Sequence, residues 1–127
     1  VAWIDFGYCR EASDAPEGKR FFFDTEGKIN VFSNGKIDED KFMNHPVFDL
    51  VKTGEVLIQG SHVIAPANKW KTLSQEMYAS ISSMLELGMV DDDQTLLLMS
   101  VRRNFKEFKV NLNDENDWFN VIRNNSI

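Results

Sequence analysis

The sequence has few of the residues that build disulfides, metal clusters or membrane spans. Cys9 is its single cysteine, which excludes an internal disulfide and a cysteine metal site and makes a reducing compartment the default expectation. The two histidines, His45 and His62, are 17 positions apart, a spacing that does not support a histidine zinc site. Apolar runs are short, as at Leu96 to Met99, whereas a membrane span needs roughly 20 residues.

Positive charge is also in deficit. The chain has 14 Lys plus Arg against 20 Asp plus Glu, a formal net charge of -6. Its overall field therefore disfavours nucleic acid and anionic lipid as partners. The 127 residues fit one domain, and 43% hydrophobic residues, with 10 Phe among them, can fill a packed core. We expect a single globular domain over residues 1–127, with no nucleic-acid partner and no transmembrane segment.

The first five residues predict a strand. Val1 to Asp5 is apolar up to its last residue, as in strands that are buried on both faces inside a sheet. The neighbours of such a strand must come from elsewhere, so we expect the C-terminal part of a longer chain; a processed leader before Val1 is the alternative. An unpaired strand would favour association, so we also expect a homo-oligomer.

The remaining pattern alternates between strands and helices, which predicts an α/β fold. A break in the apolar pattern at Pro46 predicts that one helix restarts there, and Gly54 and Gly88 are placed to end helices. The expected strands are residues 20–24, 28–33, 56–58, 62–65 and 105–112, and the expected helices are residues 38–51, 68–87, 92–103 and a short one containing Trp118, Phe119 and Ile122. Loops or turns are expected at residues 6–18 and 113–116.

Asp5 is the first candidate site residue. It ends the apolar strand and is followed by Phe6 and Gly7, so its carboxylate projects from a sheet edge of the kind where open α/β folds bind ligands. A cap for the following turn is an equally good interpretation. The triplet Asp-Phe-Gly also occurs in kinases, but the chain has no glycine-rich phosphate loop and no His-Arg-Asp segment, so we reject that match.

The run Asp91-Asp92-Asp93-Gln94 is the sharpest motif. Three consecutive carboxylates before an apolar helix create a negative field that can raise a pKa or hold a cation. Acidic residues are also favoured at a helix N-terminus, and that structural interpretation is the more common one. One Asp suffices as a cap, so the other two carboxylates and Gln94 favour a further role.

Three other residues have both a structural and a functional interpretation. Gly60, next to Ser61, predicts a close backbone approach or a bulge. Trp70 begins a helix and is either a core residue, which is the more common case, or a platform for stacking a sugar. Cys9 lies beside Arg10, but no histidine follows at a catalytic spacing, so a structural or loop thiol is favoured over a nucleophile.

Four segments together resemble one family. They are Val1 to Arg10, Gly60, Asn68 to Trp70, and Val90 to Gln94, and the combination resembles the bacterial HtrL/YibB family from Val1 to about Leu112. Members are associated with lipopolysaccharide-core gene regions and look like GT-A glycosyltransferases. The resemblance therefore implies a GT-A-like mixed sheet with flanking helices, as the C-terminal portion of a longer chain.

The resemblance also implies roles on the donor side. Asp5 resembles the first acid of the Asp-x-Asp element that meets the diphosphate of a nucleotide sugar through a divalent metal, Mn or Mg. Gly7 replaces the second acid, which puts metal binding in doubt. Gly60 resembles a segment near the donor sugar, although Ser61 and His62 depart from the glycine-rich continuation.

On the acceptor side, Asp92 and Asp93 resemble the position of the general base of an inverting enzyme, and Asp91 and Gln94 accompany them at the start of the helix. The implied function is transfer of a sugar from a nucleotide-sugar donor to a glycan or lipid-linked glycan of the lipopolysaccharide type. The implied location is the cytoplasm, with a peripheral position at the inner membrane as an option. Alternatives are a non-catalytic sugar-binding or assembly domain and a magnesium-dependent hydrolase using Asp91 to Asp93.

Overall fold

A four-stranded mixed sheet with flanking helices organises the molecule. The computed structural model describes residues 1–5, 17–113 and 120–127. Within them the strands are β1 Ala2–Ile4, β2 Ile29–Phe32, β3 His62–Ile64 and β4 Phe108–Asn111. The α-helices are α1 Glu39–Asn44, α2 Val47–Thr53, α3 Trp70–Glu86, α4 Asp93–Arg103 and α5 Asn120–Asn124, with short 3-10 helices at Ala67–Lys69 and Phe105–Glu107. The predicted mixed α/β class is confirmed.

The strand order is β1-β3-β2-β4. Strand β3 is antiparallel to both β1 and β2, whereas β2 and β4 are parallel. Within the described residues β1 lies at one edge of the sheet, and Trp3 and Ile4 are 42% and 39% exposed; that neighbours from elsewhere bury this strand inside a larger sheet stays a prediction. An apolar run predicts a strand well, but it does not show how many strands will flank it.

Alternation along the strands separates two apolar layers. Ile29 and Val31 point into the main core, which they share with residues of α1 to α4, including Leu98. Phe32 and Ile64 point to the opposite face and form a smaller cluster with Val121 of α5. Because successive side chains of a strand alternate between faces, the central strands are buried on both sides.

The predicted helix boundaries are largely confirmed. Helix α1 begins after Asp38, whose carboxylate accepts a hydrogen bond from the Lys41 backbone N–H at 3.0 Å, and α2 restarts after Pro46. Gly54 and Gly88 both have φ of 68°, a conformation that costs glycine little and ends a helix. None of the helices in the described ranges has the length and apolar character that crossing a bilayer demands.

Several predicted strands are shorter than expected or absent. Residues 20–24 form no strand; Phe21 makes a single bridge with Ser126. Residues 56–58 contribute only the bridge between Ile58 and Ser33. The apolar side chains of both segments are used for packing. The spacing of apolar residues alone does not show whether the backbone of such a segment also pairs in a continuous strand ladder. Residues 105–107 are a 3-10 helix before β4 and not part of the strand.

Ile122 lies in α5, as predicted. The predictions for residues 6–16, including Gly7 and Cys9, and for residues 114–119 lie outside the described residues.

Candidate functional site

The start of α4 lies directly against the backbone at Gly60. A Cβ atom built on Gly60 would stand 2.8 Å from Asp93 Oδ1, 3.0 Å from Asp93 Oδ2 and 2.8 Å from Gln94 Cγ. Real Cβ atoms essentially never come as close as 2.8 Å, so any side chain at this position requires Asp93 and Gln94 to move. The predicted close approach at Gly60 is confirmed, and the neighbour it admits is the Asp93 carboxylate.

Asp5 reaches the same place from β1. Its backbone N–H donates to the Ser61 carbonyl oxygen at 2.7 Å, which continues the β1–β3 pairing by one step beyond the strand. The negative charge of Asp5 contributes to raising the pKa of Asp93. The structure therefore places Gly60 against Asp93 and Gln94, with Asp5 near enough for its charge to act on Asp93.

Asp93 has the electrostatic character of a group that can accept a proton. Partial burial raises the pKa of its carboxyl group above the ordinary value, and the charges of Asp92 and then Asp5 add to that rise. Hydrogen bonds from the backbone N–H groups of Asp93 and Gln94 oppose the rise without cancelling it. Catalytic carboxylates are commonly adjusted in this direction, because a base works best with a pKa nearer the working pH.

The other two carboxylates of the run are used in starting the helix. Asp92 is the N-cap of α4: its Oδ1 accepts from the backbone N–H of Gln94 at 3.1 Å and from that of Thr95 at 3.4 Å. Asp91 Oδ2 accepts from the Thr95 hydroxyl at 2.5 Å. The interpretation that the acidic run stabilises the helix start therefore applies to Asp91 and Asp92. Asp93 instead faces Gly60. A catalytic role for Asp92 and an acceptor-side role for Asp91 stay predictions.

A small cavity adjoins Asp93. It has a volume of about 200 Å³ and lies between β1 and β3 on one side and α3 and α4 on the other. We call it the tryptophan pocket; its lining residues are Trp3, Val63, Trp70, Leu73, Met77, Asp93 and Leu97. Sequence reasoning weighed Trp70 but missed Trp3. The available signal was strand alternation, which places Trp3 and Asp5 on the same face of β1.

A larger cavity lies away from these residues. It has a volume of about 410 Å³ and is an apolar groove near α1 and β4, lined by Ile37, Glu39, Phe42, Met43, Phe105, Val110 and Leu112. It contains none of the residues that the sequence predicted to be functional. Because apart from Glu39 its lining offers no group that could orient a polar reactant, the smaller cavity beside Asp93 is the better candidate site.

The described residues do not fit a metal centre on their own. The charge of Asp5 acts on Asp93, but no group of three or more His, Cys, Asp or Glu side chains in residues 1–5, 17–113 and 120–127 is arranged to hold an ion. His62 is buried beneath the sheet surface, and burial lowers its pKa to about 4, which keeps the ring neutral. Its Nδ1 is 2.8 Å from the Ser61 hydroxyl, in agreement with the predicted structural role.

The comparisons with known proteins agree with the resemblance seen in the sequence. The model of the family described as "Bacterial protein of unknown function (HtrL_YibB)" matches residues 1–126. Protein HtrL of Escherichia coli (strain K12) is 31% identical over 126 residues, which are 97% of this chain and 43% of that protein. The chain thus spans less than half the length of the curated relative it matches, and no solved structure matches it. The chain belongs to the HtrL/YibB family of bacterial proteins.

Proposed function

We propose that this chain is part of a GT-A-like glycosyltransferase that moves a sugar from a nucleotide-sugar donor to a glycan acceptor of the lipopolysaccharide type. The observation that supports it best is the meeting of Asp5, at a strand end, with Asp93, at a helix start, over Gly60. Open α/β folds bind ligands where strand ends and helix starts converge. The absence of a side chain at Gly60 leaves the space that the Asp93 carboxylate occupies.

In this proposal Asp93 is the general base. A hydroxyl oxygen of the acceptor attacks the anomeric carbon of the donor and forms a new C–O bond. The bond between that carbon and the diphosphate oxygen breaks, the nucleoside diphosphate leaves, and the hydroxyl proton passes to the Asp93 carboxylate. The raised pKa of Asp93, caused by burial and by Asp92 and Asp5, makes that carboxylate a better proton acceptor than an ordinary aspartate.

Asp92 acts through position in this scheme. By capping α4 it fixes the first turn from which Asp93 projects, and its charge contributes to raising the pKa of Asp93. Asn is as good an N-cap as Asp, so Asp92→Asn removes the charge and keeps the cap. The two neighbouring carboxylates are therefore separable by experiment.

The divalent cation expected at Asp5 is outside this scheme. The described residues offer two carboxylates, Asp5 and Asp93, and a hard cation such as Mg²⁺ that is bound by so few takes its remaining ligands from water and substrate phosphates. We derive no step through a metal, and dependence of turnover on added Mn²⁺ or Mg²⁺ tests that prediction. The proposed location is the cytoplasm or the inner surface of the inner membrane, where a nucleotide sugar can meet a lipid-linked acceptor.

The proposal is tested by release of nucleotide from a panel of UDP-, GDP-, ADP- and CMP-activated sugars by the whole protein, with and without deacylated lipopolysaccharide core oligosaccharide. We expect release only when the oligosaccharide is present, and a loss of about 100-fold in Asp93→Asn, the scale typical of removing a general base. Asp92→Asn keeps the helix cap and removes one of the charges that raise the Asp93 pKa, so it should lose turnover, but less than Asp93→Asn. Release that does not need the acceptor indicates hydrolysis and contradicts transfer.

A second candidate function is sugar binding without turnover. The arrangement that favours it is the pairing of Asp5 with Asp93 alone, without a third metal-ligating side chain in the described residues. In that case the oligosaccharide binds and no nucleotide is released from any donor. The same assay, combined with calorimetric titration of the oligosaccharide, separates the two functions.

A further inference from the structure

The tryptophan pocket combines two indole rings with one carboxylate. Trp3 on β1 is paired across the strand ladder with Val63 of β3, and both line the pocket. Trp70 comes from the first turn of α3, and Asp93 comes from the first turn of α4. Four separate elements therefore contribute to one cavity of about 200 Å³.

The spacing of the lining residues explains why the cavity forms there. On α3, Trp70, Leu73 and Met77 are three and four positions apart, and on α4, Asp93 and Leu97 are four apart, so each set lies along one helix face. Trp70 Nε1 is buried and, within the described residues, has no hydrogen-bond partner.

Charge limits the ligand class. The lining of the pocket includes the carboxylate residue Asp93, and the charges of Asp92 and then Asp5 are close enough to raise the pKa of Asp93. The chain as a whole is also negative, at -6. Such a field repels phosphates and acidic sugars, whereas a neutral hydroxyl can donate to a carboxylate. Apolar indole faces suit the C–H face of a sugar ring, and the cavity is of the size of a single monosaccharide.

We propose that the tryptophan pocket is a subsite for one neutral pyranose ring of the acceptor glycan. The ring lies with its C–H face against the exposed indole of Trp3 and presents a hydroxyl to Asp93, and Trp70 contributes to the apolar wall of the pocket. This assignment deepens the proposed function and rests on it for the identity of the sugar as the acceptor. Binding of the ring itself does not depend on turnover.

The test uses the whole protein and methyl glycosides of glucose, galactose and mannose as probes, with glucuronic acid and glucose 6-phosphate as charged comparisons. Saturation-transfer NMR and tryptophan fluorescence measure binding without any donor. We expect at least one neutral glycoside to bind and both charged sugars to bind at least tenfold more weakly. Trp3→Ala should weaken binding of the neutral sugar about tenfold, equivalent to about 1.4 kcal/mol.

The matched control is Tyr78→Ala. Tyr78 is an aromatic residue of α3 that is 70% exposed and lies outside the pocket, so its removal should leave sugar affinity unchanged. Trp3 is at an exposed sheet edge, and Trp3→Leu serves as a second variant that keeps apolar volume if Trp3→Ala does not fold. If no neutral glycoside binds, or Trp3→Ala and Trp3→Leu bind as tightly as the parent, the subsite assignment is overturned.

A parallel turnover measurement separates this inference from the proposed function. Sugar binding that depends on Trp3, together with no nucleotide release from any donor, supports the pocket and contradicts transfer. Acceptor-dependent release with an unchanged KM for the oligosaccharide in Trp3→Ala supports transfer and overturns the pocket.

Discussion

Gly60→Ala perturbs the candidate site with a single methyl group. Gly60 does not have the positive φ angle that favours glycine. The substitution therefore tests the space around the Cβ atom and not backbone strain. The added Cβ would be 2.8 Å from Asp93 Oδ1 and from Gln94 Cγ, and ordinary contact begins at 3.4 Å. The carboxylate and the first turn of α4 must therefore move apart from β3 by about 0.6 Å, a small case of overpacking.

The expected cost has two parts. Overpacking typically destabilises by about 1–3 kcal/mol, and we expect the lower end because the Asp93 carboxylate can rotate away. A reacting group displaced by about 1 Å can lose about 100-fold in rate, so we expect Gly60→Ala to reduce acceptor-dependent turnover at least about tenfold. Thermal unfolding and steady-state kinetics on the whole protein measure the two effects separately.

A double-mutant cycle identifies the responsible contact. In an Asp93→Ser background the clashing carboxylate oxygens are gone, so the destabilisation caused by Gly60→Ala should become smaller, with a coupling of about 0.5 kcal/mol or more. If Gly60→Ala costs the same in both backgrounds, the contact between Gly60 and Asp93 is not what the added methyl disturbs. Normal turnover in the single variant would refute the assignment of this contact to the site.

Three further predictions concern α4 and the buried histidine. Asp93→Asn should raise the thermal midpoint at pH 7. The reason is that a carboxyl group whose pKa is raised on folding destabilises the folded state once it is ionised. The gain in midpoint should vanish as the pH falls below 3.8, where the carboxyl group is protonated in both the folded and the unfolded state. Arg102→Met should lower the free energy of unfolding by about 2–3 kcal/mol in urea titration, because the guanidinium donates to the carbonyl oxygens of residues 41, 42 and 45 at 2.7–3.2 Å. Burial lowers the pKa of His62 to about 4, so its folded form resists protonation; stability should fall by about 3 kcal/mol between pH 6.5 and pH 4, and His62→Gln should lack that fall.

The positions of the main helices follow from local signals in the sequence. Pro46, Gly54 and Gly88 act through their own backbone restrictions, and the Asp92 carboxylate caps the next helix through contacts within three residues. Such signals need no knowledge of the rest of the fold. This is why the α1–α2 break and the bounds of α3 and α4 could be predicted.

Strand pairing is less accessible, because it depends on residues far apart in the chain. The apolar segment at residues 20–24 has a strand-like composition, yet it lies extended against the C-terminal residues, with the Arg20 N–H donating to the Ile127 carbonyl oxygen at 2.7 Å. The sequence of β1 likewise did not predict the place of this strand in the sheet, because that place depends on its pairing with β3. Composition predicts that a segment is extended and apolar, whereas its partners come from the tertiary structure.

Some residues of the candidate site could be indicated from the sequence, but the division of roles among them could not. A glycine that admits a close neighbour and an acidic run were both visible, but sequence could not assign the cap among Asp91, Asp92 and Asp93. The structure makes that assignment through backbone direction at the first turn of α4. Trp3 was missed because its role depends on α3 and α4 packing over the end of β1.

In the proposed function Asp93 lies within reach of the charge of Asp5 and has a carboxyl group adjusted for proton transfer. Carbon-detected NMR titration of the aspartate carboxyl groups in the whole protein measures this adjustment. The Asp93 pKa should lie above its ordinary value, because of burial and the charges of Asp92 and Asp5, and it should fall in Asp5→Asn and fall further in Asp92→Asn. An ordinary pKa for Asp93, or one that Asp5→Asn leaves unchanged, would contradict the account.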